Sequence, residues 1–436
     1  MRRVLFVDDD PRVLEMIRDR MRPHIHEWET AVASSGIQAL SILAERSCDV
    51  VVTDMRLPKM TGDELLRHVK ARYPATIRMI LAERSELEQA LSMMSVAHQF
   101  LSKPFEASVV RDVLYRSCAL NEIVGGKRWR KAFGGLDDLP ARPQLYFQLM
   151  ELLALPKFTL QDVASIVSRD RRIAERVVEA ARHSSHETEL RSLQQAVAQL
   201  GTTKVRDWVL AFEVQDSFRE FGIDTSSLDH HAVVVAQMAQ AVAPADLEAD
   251  AFLAGLMHDV GHFVLAVAAP SILPRCYERA ITDDIPIQTA ESSVLGLTHA
   301  EAGAYLLGLW GLPQSMIDAL VHHHDPSALS HEQACLTTYV HVADCLSKRN
   351  ARGLDLDYLN RINALDRLRD WQVRTAWIRS HHRATRSLGS KAQSATTRRH
   401  RASAGPHRTM ERSTGGPGPA LHRPDPDLSW EKGRAR

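Results

Sequence analysis

Five short apolar runs separated by helix-length amphipathic stretches fill residues 3 to about 120, and past Leu139 such runs stop. That change of period constrains the fold more than any other feature. Arg3–Val7 (RVLFV) reads as a buried strand, Pro11 stands where a helix would start, and Val13, Leu14, Ile17 and Met21 recur at helical spacing. Trp28–Ala33, Asp49–Thr53 (DVVVT), Ile77–Leu81 and Gln99–Leu101 read as four more strands. Strands alternating with helices pair in parallel through right-handed crossovers. The expected fold is therefore α/β, a doubly wound five-stranded parallel sheet. Such sheets carry their chemistry at the carboxyl ends of the strands. Asp8, Asp9, Asp54 and Lys103 all fall just past predicted strands.

Residues 121–138, with VGGKRWRKAFGG, are Gly-rich and basic and read as a linker. From Leu139 to about 350, segments such as QLYFQLMELLAL and LQDVASIVSRDRRIAERVVEAA keep helical periodicity without strand runs between them, which predicts an all-α domain. Residues 351–378 would extend it by one or two helices. The stretch 379–436 is Ser, Thr, Arg, His, Gly and Pro with few apolar residues, too polar to offset its ordering entropy, and is expected to be disordered. It holds 13 Lys and Arg against 4 Asp and Glu, a net of +9, so the zero net charge leaves −9 on the rest. A basic tail can contact nucleic acid or acidic lipid through counterion release. A solvated tail without a partner is the plainer reading, and a shifted reading frame is another source of so abrupt a change in composition.

With 44% apolar and 25% charged residues, the 436-residue chain is neither wholly disordered nor fibrous. No uninterrupted apolar stretch approaches the roughly 18 to 20 residues of a membrane span. The N-terminus turns acidic at Asp8, too early for a secretory signal. Five scattered cysteines without a CxxC pair fit reduced thiols in a cytoplasm.

Three carboxylates at neighbouring strand ends repel one another unless a cation intervenes, and hard oxygen ligands in that number favour Mg²⁺. A carboxylate so placed can attack a phosphoryl group to give an acyl phosphate, with a lysine ammonium offsetting charge. The plain alternative is that Asp8, Asp9 and Asp10 cap the first helix. Further on, AFLAGLMHDVGHFVLAVA reads as one apolar helix with His258 and Asp259 inside it and His262 one turn along the same face. A buried carboxylate needs a cation or several donors. His231, His299, His323, His324 and Asp344 are further candidates. Any one of these histidines alone is better read as a satisfied core or surface residue. Together, imidazoles and carboxylates suit a transition metal, and two metals can activate water against a phosphate ester.

Taken as a set, VDDDP, VVTDMRLPKMTG around Asp54 and FLSKPF around Lys103 resemble the response-regulator receiver domain over residues 1 to about 120. The resemblance implies phosphorylation of Asp54 by a histidine kinase, Mg²⁺ held by Asp8, Asp9 and Asp54, and Lys103 on the phosphoryl group. It also implies a cis peptide before Pro104 and places Phe100 at the aromatic switch position. One departure stands out. RMILAERSE puts Ala82 where the family usually has Thr or Ser, so the switch hydroxyl is absent, and Ser85 could replace it only in a remodelled loop.

The pieces LPARPQLYFQLMELL, LQQAVAQLG, AFLAGLMHDVGH, AESSVLGLTHAEAGAYLLGLWGLP, VHHHDP and VHVADCL resemble the HDOD domain over residues 139 to 347. That domain is a relative of HD-type metal phosphohydrolases. Active HD enzymes would use His231, His258, Asp259, His299, His323, His324 and Asp344 as ligands for Fe, Mn or Zn, and all seven places are filled. Against catalysis, His262 replaces the phosphate-contacting lysine of HDxGK, and no GYP follows the paired histidines. ARHSSHE also departs from the usual Asn-Ser pattern. HDOD domains are mostly regarded as signalling modules. The expectation is a cytoplasmic, bacterial-type two-component response regulator whose output works through a protein or nucleotide ligand. Its alternatives are a receiver-gated metal-dependent phosphohydrolase and a nucleic-acid binder acting through the tail. No helix-turn-helix is apparent, so direct promoter binding is not expected.

Overall fold

Alternate residues of the first strand are buried on opposite sides. Val4 and Phe6 join Val50, Val52 and Ile17, while Leu5 and Val7 join Leu43, Leu65 and Val69. A strand covered on both faces has no polar side, which is why RVLFV is an unbroken apolar run. The computed structural model describes residues 2–83 except 25, 27 and 75, residues 96–103, and residues 139–380 except 141, 185–189, 191, 349, 350 and 352. Ser85, Pro104, the segment 121–138, the last three residues of ARHSSHE and the tail from 381 lie outside the described residues.

The strands are β1 (Arg2–Val7), β2 (Trp28–Ala33), β3 (Val50–Asp54), β4 (Ile77–Glu83) and β5 (Gln99–Lys103), all parallel in the order β2-β1-β3-β4-β5. Helix α1 (Pro11–Met21) buries Ile17 and Met21 on one face of the sheet; α2 (Gly36–Glu45) and α3 (Gly62–Arg72) bury Leu43, Leu65 and Leu66 on the other. Two expectations are adjusted here. Asp54 and Lys103 are the last residues of β3 and β5 and not loop residues beyond them. The cap of α1 is Asp10, whose side chain accepts from Arg12 N at 2.9 Å; Asp8 and Asp9 do not cap it.

From Leu139 on, the described residues form helices without strands. They are α4 (Gln144–Leu153), α5 (Leu160–Val167), α6 (Arg171–Ser184), α7 (Leu193–Leu200), α8 (Thr202–Glu220), α9 (Ser226–Val242), α10 (Glu248–Met257) and α11 (Gly261–Ala268). There follow α12 (Leu273–Thr282), α13 (Ile287–Leu295), α14 (His299–Leu309), α15 (Gln314–His322), α16 (Leu336–Ser347), α17 (Leu356–Arg361) and a last helix over 368–380. Gln99 at the start of β5 donates through Nε2 to the Gly308 carbonyl of α14 at 3.0 Å, joining sheet and helices.

The segment expected to be one helix around His258 is two. Helix α10 ends at Met257 and α11 starts at Gly261, with Val260 N bonding Met257 O and His262 N bonding Asp259 O in a tightened turn, both at 3.0 Å. His262 is therefore not on the His258 face. The same segment bears on the membrane reading. Glu248–Ala268 does reach the length and apolarity of a span, with mean hydropathy 1.6 over its window, but 78% of that window is buried inside the protein. It is a core element, apolar because helices cover it all round.

Two glycines set how closely these helices cross. A Cβ on Gly255 would lie 2.8 Å from Ala236 Cα of α9, and one on Gly261 would lie 1.7 Å from the His299 carbonyl. Only glycine admits either approach. Those crossings bring His231 on α9, His258 after α10 and His299 on α14 into one place.

Candidate functional site

At the carboxyl ends of β1, β3 and β5, Lys103 Nζ sits 2.7 Å from Asp8 Oδ2 and 2.5 Å from Asp54 Oδ1. Asp54 Oδ2 accepts the Arg56 N–H at 2.8 Å, and Asp8 Oδ1 accepts the Asp10 N–H at 3.0 Å. Asp9 is exposed beside them. Burial lifts the Asp8 carboxyl above its ordinary range, against the pull of Lys103. Burial works against the Lys103 ammonium too, but Asp54 and Asp8 outweigh it and hold that group above its usual range. The loop beyond β3 is shaped by Gly62, whose Cβ would fall 2.2 Å from the Asp54 carbonyl, so α3 can begin there only with glycine. Ala82, next to the carboxyl end of β4, is buried among Leu5, Val7 and Ile80 and brings no hydroxyl to this place. The side chain of Phe100 lies outside the described residues.

The helical domain gathers all seven of its candidate residues. Asp259 lies 3.3 Å from His258 Nε2, 3.5 Å from His299 Nε2, 3.7 Å from His323 Nε2 and 3.7 Å from His231 Nε2. Asp344 lies 3.2 Å from His231 Nε2 and 3.8 Å from His324 Nδ1. Two sets of donor atoms, Asp259 with His299, His323 and His324, and His231 with His258 and Asp344, each fit within 4.8 Å, the span of a metal's ligand shell.

Hydrogen bonds at the far side of two rings fix their protons. His258 Nδ1 is 2.8 Å from the Gly255 carbonyl and His323 Nδ1 is 2.7 Å from the Leu320 carbonyl. A carbonyl can only accept, so Nδ1 carries the proton in both rings and Nε2 presents a lone pair. Those Nε2 atoms and Asp344 Oδ1 are buried without hydrogen-bond partners. Lone pairs aimed at carboxylate oxygens repel; a bound cation would reconcile them, and for His258 so would a second proton, because Asp259 outweighs burial and holds that ring above its usual range. The donor set of neutral imidazoles and carboxylates fits Fe, Mn or Zn.

The electrostatics favour neutral rings at His323, His262 and His324, whereas Asp259 and Glu291 outweigh burial and raise His258 and His299. Burial and the neighbouring His258 push His323 down to about 3, and burial with His299 pushes His262 to about 4. His324 is likewise held well below its usual range by burial. Burial favours a protonated Asp259, yet His258 and its neighbours outweigh it and hold that carboxyl well below the ordinary range. For Asp344, burial is overcome chiefly by Lys348, whose Nζ is 2.6 Å from Oδ2.

His262 sits elsewhere than the sequence suggests. Its ring stacks on His299 at 3.9 Å, with Nδ1 3.4 Å from Glu291 Oε1 and 3.3 Å from the Tyr277 hydroxyl. Glu291, Tyr277 and Lys348 escaped sequence reasoning. Lys348 was within reach of it, being four residues beyond Asp344 and capping the end of the same helix. Glu291 carried a fainter signal, an acid inside the otherwise apolar and small-residue run AESSVLGL.

Comparison with known proteins divides the chain in the same way. The family model for the response regulator receiver domain matches residues 4–115, and that for the HDOD domain matches residues 139–326. An uncharacterized protein of Treponema pallidum is 24% identical over 197 residues, 44% of this chain and 38% of that protein. The DNA-binding response regulator MtrA of Mycolicibacterium smegmatis is 35% identical over 104 residues, 24% of this chain and 45% of that protein. The chain thus spans less than half the length of these two relatives. Among solved structures, an HDOD domain protein of unknown function from Geobacter sulfurreducens is 22% identical, covering 63% of this chain and 98% of that one, with a TM-score of 0.48. A receiver domain protein from Clostridium thermocellum is 34% identical, covering 25% and 86%, with a TM-score of 0.23.

Proposed function

We propose, for a chain that carries an N-terminal response regulator receiver domain and a C-terminal HDOD domain, that Asp54 is the phosphoacceptor of a partner histidine kinase and that the helical domain is the output it controls. The observation that carries this reading is Lys103, held between Asp8 and Asp54 at the strand ends. In the transfer, an Asp54 Oδ attacks the phosphorus of the kinase's phosphohistidine. A P–O bond forms, the P–N bond breaks, and the imidazole leaves with a proton taken from solvent. Lys103 gives up its contact with Asp54 Oδ1 and follows the incoming phosphoryl oxygens, while Arg56 N–H keeps Oδ2 in place. Asp8, Asp9 and Asp54 would hold Mg²⁺, which would supply further charge neutralisation there. With Ala82 in place of a hydroxyl, nothing in β4 grips the phosphoryl group. The readout then rests on Lys103 alone among the described residues.

Incubating the full chain with a small-molecule phosphodonor and Mg²⁺ tests this reading. The expected result is a single acid-stable, hydroxylamine-labile phosphate on Asp54, absent from Asp54→Asn. Equal labelling of both proteins refutes it.

A second reading rests on the orphaned Nε2 atoms of His258 and His323. By it the helical domain is a metal-dependent phosphohydrolase acting on a nucleotide or cyclic dinucleotide, gated by the receiver. His231, His258, Asp259, His299, His323, His324 and Asp344 would hold the metal, which would lower the pKa of a bound water to yield a nucleophile. His262, neutral at pH 7, offers no cation to a substrate phosphate where HD enzymes have lysine, so hydrolysis is expected to be slow or absent. Turnover across a nucleotide panel, lost in Asp259→Ala, favours the enzyme; binding without turnover favours a ligand-sensing output.

A further inference from the structure

We infer that Glu291 is a positioning residue for the His-Asp site, holding the proton on His299 Nδ1 and so turning the Nε2 lone pair of that ring toward Asp259 and His324. The inference rests on the reading of that site as a metal site.

Glu291 is wholly buried, as is His299. Its Oε2 lies 2.7 Å from His299 Nδ1 and 2.9 Å from the His299 backbone N–H. The second contact fixes the carboxylate at the first residue of α14, where the positive end of the helix favours an anion. The chain makes this approach possible by a tight connection: Gly296 adopts φ 73°, and Thr298 caps α14 through a reciprocal pair with Glu301. On the other side of the ring, His299 Nε2 is 3.0 Å from His324 Nε2 and 3.5 Å from Asp259 Oδ1. His262 stacks against the ring face with planes 17° apart, and the Tyr277 hydroxyl holds His262 from behind. His299 is therefore clamped in its plane by Glu291 and on its face by His262.

The carboxylate is the part of this arrangement that chemistry does not readily replace. An ionised carboxylate only accepts, so the ring nitrogen facing it must carry the proton. An amide of the same shape can instead turn its NH₂ toward Nδ1, which puts the proton on Nε2 and removes the lone pair. A carboxylate behind a ligand imidazole also raises its basicity, and loss of such a partner costs roughly 10- to 100-fold in metal affinity. A separate cation held by His262, Glu291 and His299 is the competing account of these donors. Bound alongside an ion in the His-Asp site, it would require both ring nitrogens of His299 to give up their protons at once.

The test uses the full chain labelled with ¹⁵N-histidine, metal-free at pH 9, with His299 signals identified by difference from His299→Gln. The expected wild-type spectrum shows His299 protonated on Nδ1, and Glu291→Gln shifts it toward the Nε2–H form. In parallel, competition with a chelator should show Zn²⁺ bound roughly 10- to 100-fold more weakly by Glu291→Gln, with the metal-free thermal midpoint matched to wild type. Wild-type His299 in the Nε2–H form overturns the inference, and it does so even where no Glu291 variant folds. So do an unchanged tautomer and unchanged affinity in a folded Glu291→Gln. A tautomer shift in a protein that binds no metal supports the role of Glu291 and removes the metal-site reading. A loss of one Zn²⁺ per chain in Glu291→Gln at unchanged affinity for the rest overturns the inference in favour of the separate cation.

Discussion

At the strand ends, Lys103 stands between Asp8 and Asp54 and satisfies both from within the chain. In the helical domain Asp259 faces four imidazoles, two of which turn lone pairs toward it, and Asp344 leaves an oxygen without a hydrogen bond. Both places concentrate carboxylates, yet they compensate charge differently. The sheet site carries its own cation and is at rest without a ligand. The helical site has one lysine at its edge, Lys348, and a core in which His258 Nε2, His323 Nε2 and Asp344 Oδ1 have no hydrogen-bond partner. The difference teaches what each is built to do. On the readings proposed above, the self-compensated site responds when a new anion competes for its lysine, and the uncompensated one takes up an ion.

The comparison makes its largest prediction about metal removal. A ligand at 100 times its Kd stabilises the folded state by about 2.7 kcal/mol. Chelation should therefore lower the unfolding midpoint of the helical domain by several degrees and leave that of the sheet domain in place. Calorimetry with and without a chelator separates the two, and equal shifts in both transitions would erase the distinction. Next in size is Lys103→Met, which leaves Asp8 and Asp54 facing each other. Because the pair is partly open to solvent, the expected loss is about 2 kcal/mol, less than for a fully buried pair. Added Mg²⁺ should recover much of it in urea titrations followed by Trp28 fluorescence.

Acid provides a third, smaller contrast. His262 and His323 have folded pKa values of about 4 and about 3, below the unfolded value of about 6.5. The unfolded chain binds more protons in that interval, so their stabilisation is full above pH 6.5 and is lost as pH falls toward 4 and 3. Each contributes a slope of about 1.4 kcal/mol per pH unit there. His258 and His299 are raised, by Asp259 and Glu291 acting against burial, and oppose this trend. With His324 also depressed, the sign of the sum is destabilisation on acidification. Among the described residues of the sheet domain His98 is the histidine held below its usual range, by burial, so that midpoint should fall less between pH 7 and 5. The smallest effect is expected from Ala82→Ser. A hydroxyl buried at that place costs about 1 kcal/mol in the resting protein, and it should lengthen the lifetime of the Asp54 phosphate measurably.

Much of this contrast could be read from the sequence, for physical reasons that differ by region. The central strands β1 and β3 are buried on both faces, so RVLFV and DVVVT stand out as runs, and the residues at their ends follow from topology. The seven His and Asp positions are legible because such groups are costly inside apolar helices. What stayed hidden depends on backbone breaks and partners distant in sequence. The turn at His258–Val260 is invisible in AFLAGLMHDVGHFVLAVA because its residues suit a helix equally well; it is enforced by Gly261 packing on the His299 carbonyl. That break carries His262 away from His258 and over to Glu291, a contact that spacing along one helix would never suggest.

The measurement that bears most directly on the contrast is metal analysis of the full chain purified without chelator, beside Asp259→Ala and Asp8→Ala. The expected result is one or two transition-metal ions per chain in the wild type and in Asp8→Ala, and none in Asp259→Ala. A wild-type protein free of transition metal after growth and purification with Fe, Mn and Zn present would contradict it. The orphaned nitrogens of His258 and His323 would then be inherited structure, not an ion site.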